Sequence, residues 1–281
     1  MLGSPIAHSL SPLLHNAGYA ALGLTDWRYG RHEVRAAELP AFLAGLDGDW
    51  RGLSLTMPLK EACLEVADDA TPLARRARAG NTLVRREDGG WLADNTDVAG
   101  MADALRPAWD TSWRRVAVLG AGATARSALL ALTDLGVTAV DVYARDEGKA
   151  SALEAWAPPG VEVTPRPLAE WPAGEEPVVV STLPAGALGD VELPSPRLGL
   201  VFDVVYADWP TPLARSAQSA GMAVVGGLDL LVHQAARQFT LFTGSEAPLE
   251  AMFAAGREAL AGASRLPAGD PPGDPGPRGA A

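Results

Sequence analysis

Arg115-Val116-Ala117-Val118-Leu119-Gly120-Ala121-Gly122-Ala123-Thr124-Ala125 decides how the rest of this chain is read. Val116 to Leu119 is an uninterrupted apolar run, the pattern of a strand covered on both faces. It ends on Gly120-x-Gly122-x-x-Ala125, and a helix-forming segment follows through Leu135. In such a loop the first glycine permits the tight turn and the second lets backbone approach a pyrophosphate. A small third residue lets helix and strand pack closely. The helix N-terminus then offers unpaired N–H groups to the phosphates. Gly120, Ala121, Gly122, Ala123 and Thr124 are therefore candidate cofactor contacts. The motif alone is weak, and a tight turn without ligand competes with it; its place between strand and helix favours the dinucleotide.

Downstream, apolar strands recur at Ala139-Tyr143, Val161-Thr164, Val178-Ser181, Gly199-Val204 and Ala223-Val225. Helical runs separate most of them, including Ala123-Leu135 and Asp146-Trp156. Buried strands alternating with helices predict a doubly wound parallel sheet. Upstream the pattern differs. Ser11-Pro12 opens a helix through about Leu22, with Ser11 as N-cap, proline at N1 and Gly23 as terminator. A strand near Trp27-His32, a helix over Ala37-Leu46, a strand over Gly52-Thr56 and a helix from Pro58 to Ala67 follow. Asn81-Arg86 and Gly90-Ala93 read as a hairpin through Glu87-Asp88-Gly89, ahead of a helix over Thr96-Leu105. Helices from Gly227 to Phe242 and from Pro248 to Leu260 close the pattern and are expected to return to the first domain. The reading is an α/β chain in three parts. A catalytic domain, 1–105, is completed by 227–262; a Rossmann-like dinucleotide domain spans 106–226; a Pro- and Gly-rich tail, 263–281, is expected to be disordered.

The 281 residues, nearly half of them hydrophobic, suffice for two cores. A formal charge of −11 disfavours nucleic acid and anionic membranes at long range, but not a small anion met by local cations. One cysteine, Cys63, excludes an internal disulfide and reads as a buried helix residue. His8, His15, His32 and His233 lack metal-ligand spacing, so no metal is expected. No secretion signal and no long apolar span is visible, which reads as a soluble cytoplasmic protein, monomer or homodimer.

Cofactor choice is read at the end of the strand after the glycine loop. An acid there binds the ribose diol of NAD. Here the strand end carries Arg145, whose guanidinium suits an adenosine 2′-phosphate, with Lys149 as a second cation. Asp141 and Asp146 point the other way, unless Asp141 lies inside the strand and Asp146 caps the next helix. The balance favours NADP.

Two polar runs stand where strands end and helices begin: Leu55-Thr56-Met57-Pro58-Leu59-Lys60 and Asp94-Asn95-Thr96-Asp97. Lys60 and Asp97 are candidates for proton transfer. A solvated first-turn lysine and a dipole-favoured first-turn acid are the competing readings. Ser9 and Ser11 place two hydroxyls ahead of a helix N-terminus, a setting for a carboxylate. Capping accounts for Ser11 but not for Ser9.

With these elements in order, the chain resembles the shikimate dehydrogenases. The resemblance runs through Gly3-Ser4-Pro5-Ile6-Ala7-His8-Ser9-Leu10-Ser11-Pro12, Ser54-Leu55-Thr56-Met57-Pro58-Leu59-Lys60, Gly80-Asn81-Thr82-Leu83 and Asp94-Asn95-Thr96-Asp97 with Gly100. It continues in Asp203-Val204-Val205-Tyr206 and Gly227-Leu228-Asp229-Leu230-Leu231-Val232-His233-Gln234. It implies reversible reduction of 3-dehydroshikimate to shikimate by NADPH, in a cleft between two domains. By the same resemblance Lys60 and Asp97 are the catalytic pair, and Ser9 and Ser11 hold the substrate carboxylate. Thr56, Asn81 and Gln234 bind ring hydroxyls, and Tyr206 borders the pocket. Thr182, with its neighbours, lines the cofactor, while Val204 and Gly227 approach the nicotinamide.

The chain departs from the family pattern in four places. Only Met1-Leu2 stands where a full first strand is usual, which leaves either an upstream start or an exposed sheet position. Ala144-Arg145-Asp146 replaces Asn-Arg-Thr, a weaker phosphate site; Ser54 replaces a common asparagine; Asp229 replaces a frequent glycine. A relative acting on quinate or an aminoshikimate with NAD, and a non-catalytic metabolite sensor, are the alternatives. Retention of both Lys60 and Asp97 argues against the sensor.

Overall fold

The computed structural model describes residues 1–173, 175–194 and 199–263. Apart from its first position, which ends the last helix, the tail at 263–281 lies outside the described residues. The first lobe contains β1 (Leu2–Gly3), α1 (Ser11–Ala21), β2 (His32–Glu33), α2 (Leu39–Ala44), β3 (Gly52–Ser54), α3 (Leu59–Val66), β4 (Asp69–Ala70), α4 (Pro72–Ala77), β5 (Thr82–Arg85), β6 (Trp91–Asp94) and α5 (Thr96–Leu105). The strands pair in the order β3-β5-β6-β4, and β1-β2 joins them through a bridge from Leu2 to Leu55. The expected hairpin is β5–β6, antiparallel, with Leu83 opposite Ala93. Leu2, Leu53, Leu55, Leu59 and Leu83 form the core of this lobe and are essentially inaccessible.

Three expectations need correction. The strand placed near Trp27-His32 is only His32–Glu33. A strand persists only where it has a partner, and β1 pairs Leu2 with His32 and Gly3 with Glu33. In the space between residues 27–30 and residues 51–53 no strand lies among the described residues. A cavity of about 570 Å³ occupies this space, lined by Met1, Trp27, Tyr29, Gly30, Arg51 and Leu53 among others. The helix placed over Ala37-Leu46 begins as a 3-10 turn, Ala36–Glu38, and is α-helical only over Leu39–Ala44. Ser11 does not cap α1; it is the first helical residue, after Leu10. The Ser9 Oγ accepts from the Ser11 N–H at 3.3 Å instead.

The second lobe follows the loop after α5. It holds β7 (Arg115–Leu119), α6 (Ala123–Asp134), β8 (Ala139–Ala144), α7 (Glu147–Ala155), β9 (Glu162–Pro167), β10 (Val178–Ser181), β11 (Leu200–Asp203), α8 (Pro212–Ser219) and β12 (Ala223–Val225). All six strands are parallel, in the order β12-β11-β10-β7-β8-β9. This is the expected doubly wound sheet. Its direction of growth reverses between β7 and β10, where a crevice opens at the carboxyl ends of the strands. Val116, Val118, Val178 and Val180 face one apolar layer; Ala117, Leu119 and Val179 face the other.

Two last helices, α9 (Gly227–Thr243) and α10 (Leu249–Ala263), return to the first lobe. Leu14 of α1 packs with Val232 and Met252, all three with no exposed surface. Each such side chain contributes about 1.5–3 kcal/mol of apolar burial. Helix α9 also lies directly on α5. A methyl group added at Gly100 would stand 2.7 Å from the Gln234 backbone nitrogen and 2.8 Å from its Cα. Backbone cannot yield as a side-chain tip can, so α5 must separate from α9 to admit it. Gly100→Ala is expected to cost about 1–3 kcal/mol, read as a lower urea midpoint at unchanged slope. An unchanged midpoint would contradict this packing.

Candidate active site

Lys60 is the second residue of α3, where the helix dipole is unfavourable to a cation. Its ammonium is met by Asp97 of α5, with Nζ 2.6 Å from Oδ2. The lysine side chain is 18% exposed and the aspartate 7%, so the pair is shielded but reachable from one side. Asp97 is placed by the cap of its own helix: the Asn95 Oδ1 accepts from the Asp97 and Val98 N–H groups at 3.1 and 3.3 Å. Two residues from distant parts of the chain therefore meet, as expected, in one partly buried ion pair.

Asn81 completes the centre. Its Oδ1 accepts from the Thr96 backbone N–H at 2.8 Å. A main-chain N–H can only donate, so this bond fixes which way the amide faces. Nδ2 is then turned to Asp97 Oδ1 at 2.8 Å and Thr96 Oγ1 at 2.9 Å, with Gln234 Oε1 at 3.4 Å. Both amide hydrogens are engaged within the protein. Thr96 and Asn95 were not singled out in the sequence, although Asn95 just ahead of a helix is a legible N-cap.

At the amino end of α1 the roles of the two serines are exchanged relative to expectation. Ser9, half-buried and one residue ahead of the N-cap Leu10, takes the Ser11 N–H; the Oγ of Ser11, 1% exposed, has no hydrogen-bond partner. A buried hydroxyl left without a partner costs free energy, and it lies at the start of α1, where the Ser11 and Leu14 N–H groups are spent, Pro12 has none, and that of Leu13 is left. Thr56 is half-buried beyond the end of β3, with its N–H donating to the Leu2 carbonyl at 2.9 Å. Gln234 is buried on α9, its Nε2 donating to the Leu231 carbonyl at 2.8 Å. Tyr206 is half-buried and, with Trp209, Gly226 and Asp229, lines a cavity of about 400 Å³. Burial raises its phenol pKa.

The glycine loop is built as its sequence requires. Gly120 has φ of +107°, and a side chain there would collide with Thr182 Oγ1. Thr182 in turn holds the end of β7, donating from both N–H and Oγ1 to the Leu119 carbonyl. Gly122 is the N-cap of α6 with no side-chain cap, and no protein atom occupies the space above it. Ala121, Ala123 and Thr124 are half-buried around this uncapped end. These features fit a pyrophosphate. Gly227 starts α9 against the chain that carries Val204: a methyl there would collide with the Val204 carbonyl oxygen. That segment is tied down by Asp203, which accepts from Thr211 Oγ1 and the Val205 N–H.

The opposing acids are both spent elsewhere. Asp141 lies inside β8, 2% exposed, and binds Arg115 at 2.6 and 2.8 Å and Arg166 at 3.0 Å. Asp146 caps α7 through the Lys149 N–H and lies 3.8 Å from the Lys149 ammonium. Arg145 is exposed and has no ion pair among the described residues. An exposed guanidinium, with Asp141 and Asp146 both engaged, fits a 2′-phosphate better than a ribose diol. Asp229, beside this face, is committed to the Gly226 N–H as a cap.

Comparison with known proteins agrees with this geometry. Residues 1–83 match the profile of the shikimate dehydrogenase substrate binding domain, and residues 227–255 that of the shikimate 5′-dehydrogenase C-terminal domain. A shikimate dehydrogenase (NADP(+)) of Caulobacter vibrioides is 38% identical over 257 residues, 86% of this chain and 88% of the relative. The chain belongs to the shikimate dehydrogenase family. The solved shikimate dehydrogenase of Mycobacterium tuberculosis is 44% identical, with a TM-score of 0.79 over 92% of this chain and 97% of that one. The Thermus thermophilus enzyme, solved in complex with NADP(H) and shikimate, is 33% identical, with a TM-score of 0.81 over 92% and 98% of the two chains.

Two buried titratable groups flank the family motifs. Cys63 has no exposed surface, and its thiol is pushed up to about 12 by burial, then by Asp94, which leaves it inert as a nucleophile. His15, one turn after Ser11 on α1, is wholly buried and stacked 4.0 Å from Tyr29. Burial, then the terminal amine, lowers its pKa to about 3 from 6.5. The folded protein thus refuses a proton that the unfolded chain accepts below pH 6.5. The His15 contribution is complete above pH 6.5 and is lost as pH falls towards 3, at up to about 1.4 kcal/mol per unit. The amine of Met1, lowered by burial to about 5 from 8.0, acts in the same direction between those values. Urea titrations between pH 7 and 5 should give a steeper loss of stability for the wild type than for His15→Phe, by about 1 kcal/mol per unit. Parallel curves would contradict a neutral, buried imidazole.

Proposed function

We propose that this chain is an NADP-dependent shikimate dehydrogenase that reversibly reduces 3-dehydroshikimate to shikimate, within aromatic amino acid biosynthesis. The observation that carries the reading is the Lys60–Asp97 pair, held 2.6 Å apart by a network that fixes the aspartate on every side. A shielded ammonium open on one face is what a carbonyl oxygen needs as it gains charge. Bound NADPH supplies the hydride. Lys60 stabilises the oxygen and gives it a proton, and Asp97 orients the ammonium and contacts the new hydroxyl.

Ser11, with its unpartnered hydroxyl, binds the substrate carboxylate together with Ser9 and the Leu13 N–H in the first turn of α1. Thr56 and Gln234 face ring hydroxyls. Asn81, whose amide hydrogens are held by Asp97 and Thr96, serves the substrate by orienting Asp97. Tyr206 closes the pocket. Gly120 to Thr124 would hold the pyrophosphate and Arg145 with Lys149 the 2′-phosphate; Thr182 would line the cofactor, and Val204 and Gly227 would border the nicotinamide. The active site is the crevice between 1–105 with 227–262 on one side and 106–226 on the other. The enzyme is cytoplasmic, a monomer or homodimer; no helix among the described residues is long and apolar enough to cross a membrane.

Lys60→Ala should lower kcat by about 10³-fold with little change in the KM for shikimate. Wild-type turnover in that variant would remove Lys60 from the chemistry. Of shikimate and quinate, each tried with NADP and NAD, shikimate with NADP should turn over fastest. Arg145→Ala should raise the KM for NADP at least about ten-fold and leave that for NAD nearly unchanged. An equal rise for both cofactors would reject the specificity assigned to Arg145.

A further inference from the structure

We infer that Gln238 is a positioning residue for the catalytic pair, acting through Thr82 and Asn81 without touching either charged group. It lies one turn after Gln234 on the inner face of α9, 1% exposed, beside Val232, Ala235 and Phe239. The buried face of such a helix is ordinarily apolar. A buried amide is tolerated there only if its donors and acceptor are satisfied. Those of Gln238 are satisfied in one direction only. Nε2 donates to the Asn81 carbonyl at 3.2 Å and to Thr82 Oγ1 at 3.0 Å. A backbone carbonyl cannot donate, so this contact fixes the orientation of the amide.

Everything else in the chain of bonds then follows. Oε1 of Gln238 accepts from Ser54 Oγ at 2.7 Å, and Ser54 in turn accepts from the Tyr29 hydroxyl. On the other side Thr82 Oγ1, already accepting from Gln238, directs its hydrogen to Asn81 Oδ1 at 2.8 Å. That bond, with the Thr96 N–H and the Thr96 hydroxyl at 3.1 Å, holds the acceptor side of Asn81 and leaves Nδ2 aimed at Asp97. One polarity runs from Tyr29 to the ion pair. Without Gln238, the Thr82 hydroxyl is free to turn towards Thr96 Oγ1, 3.5 Å away, and Asn81 Oδ1 is left with its donors from Thr96 alone. Asp97 and Lys60 stay in place but are less well aimed, which acts on kcat and not on substrate affinity.

Residue 54 offers a way to separate this role from simple packing. Ser54 pairs directly with Thr82 across the β3–β5 ladder. An asparagine at 54 therefore carries an amide to the same hydroxyl from the opposite element. The inference rests on the proposed chemistry of Lys60, and Lys60→Ala tests that separately. With Lys60→Ala inactive, Gln238→Ala should reduce kcat about ten-fold and leave the KM for shikimate and NADP within about two-fold. Ser54→Asn combined with Gln238→Ala should recover most of that loss. Thr82→Val, which keeps shape and removes the hydroxyl, should reproduce the ten-fold loss and carries the test should Gln238→Ala fail to fold. Wild-type kcat in Gln238→Ala or in Thr82→Val would overturn the inference. So would a double variant that folds like the wild type but is no more active than Gln238→Ala.

Discussion

A lysine and an aspartate held together away from full solvent impose a demand on their surroundings. Each charge gives up hydration, and the pair is tolerable only when its remaining hydrogen-bonding capacity is met. Asp97 has that capacity met by Lys60 on one oxygen and Asn81 on the other. Meeting it calls on parts of the chain that are far apart. Lys60 arrives on α3, Asn81 just ahead of β5, Asp97 on the first turn of α5, and the glutamines Gln234 and Gln238 on α9. The first lobe is in this sense arranged around one ion pair, with α9 brought back from the end of the described chain to supply the missing amides.

Helix α5 ties that arrangement to the dinucleotide loop. Its first turn carries Asp97, its glycine at 100 lets α9 lie directly on it, and Val98, Met101 and Leu105 enter the same apolar layer as Ala125, Ala128 and Leu129 of α6. Polar contacts reinforce the junction. Asn95, which caps α5, reaches Ser127 of α6 at 3.3 Å. Arg126 of α6 bonds the Ala77 carbonyl and the carboxylate of Glu61, the residue after Lys60. The helix that follows the glycine loop is thus packed against α5, which bears the acid, and tied by one ion pair to α3, which bears the amine.

Legibility in the sequence followed burial. Val178–Ser181 and Ala223–Val225 have the bounds that their apolar runs predicted, and α5 has those of its cap and periodicity. The α8 helix escaped notice although Thr211-Pro212 marks its start as cap and first residue. The two-residue strand β4 has no pattern long enough to read. The exchange of roles between Ser9 and Ser11 was illegible for another reason. Which hydroxyl caps depends on how the backbone enters α1, and both serines fit the cap by type. The same holds for Asp141. Position in sequence set it as a rival to Arg145, but only its partners, Arg115 and Arg166, decide that it is already neutralised.

The net charge of −11 and two anionic ligands are reconciled by distance. Salt screens surface charge over about 8–10 Å, so the acidic exterior governs long-range encounters while the groups at each site govern binding. On the proposed function those groups are sparing with charge. The carboxylate meets an unpartnered serine hydroxyl and the start of α1; the pyrophosphate meets the uncapped start of α6. Helix N-termini supply partial positive charge that is fixed by the fold and cannot be neutralised by a stray carboxylate. Full cations are then assigned only to the 2′-phosphate, where Arg145 stands with its guanidinium unpaired among the described residues and Lys149 lies in the first turn of α7. Cofactor choice therefore depends on side chains, Arg145 foremost, while binding of the shared dinucleotide core depends on backbone.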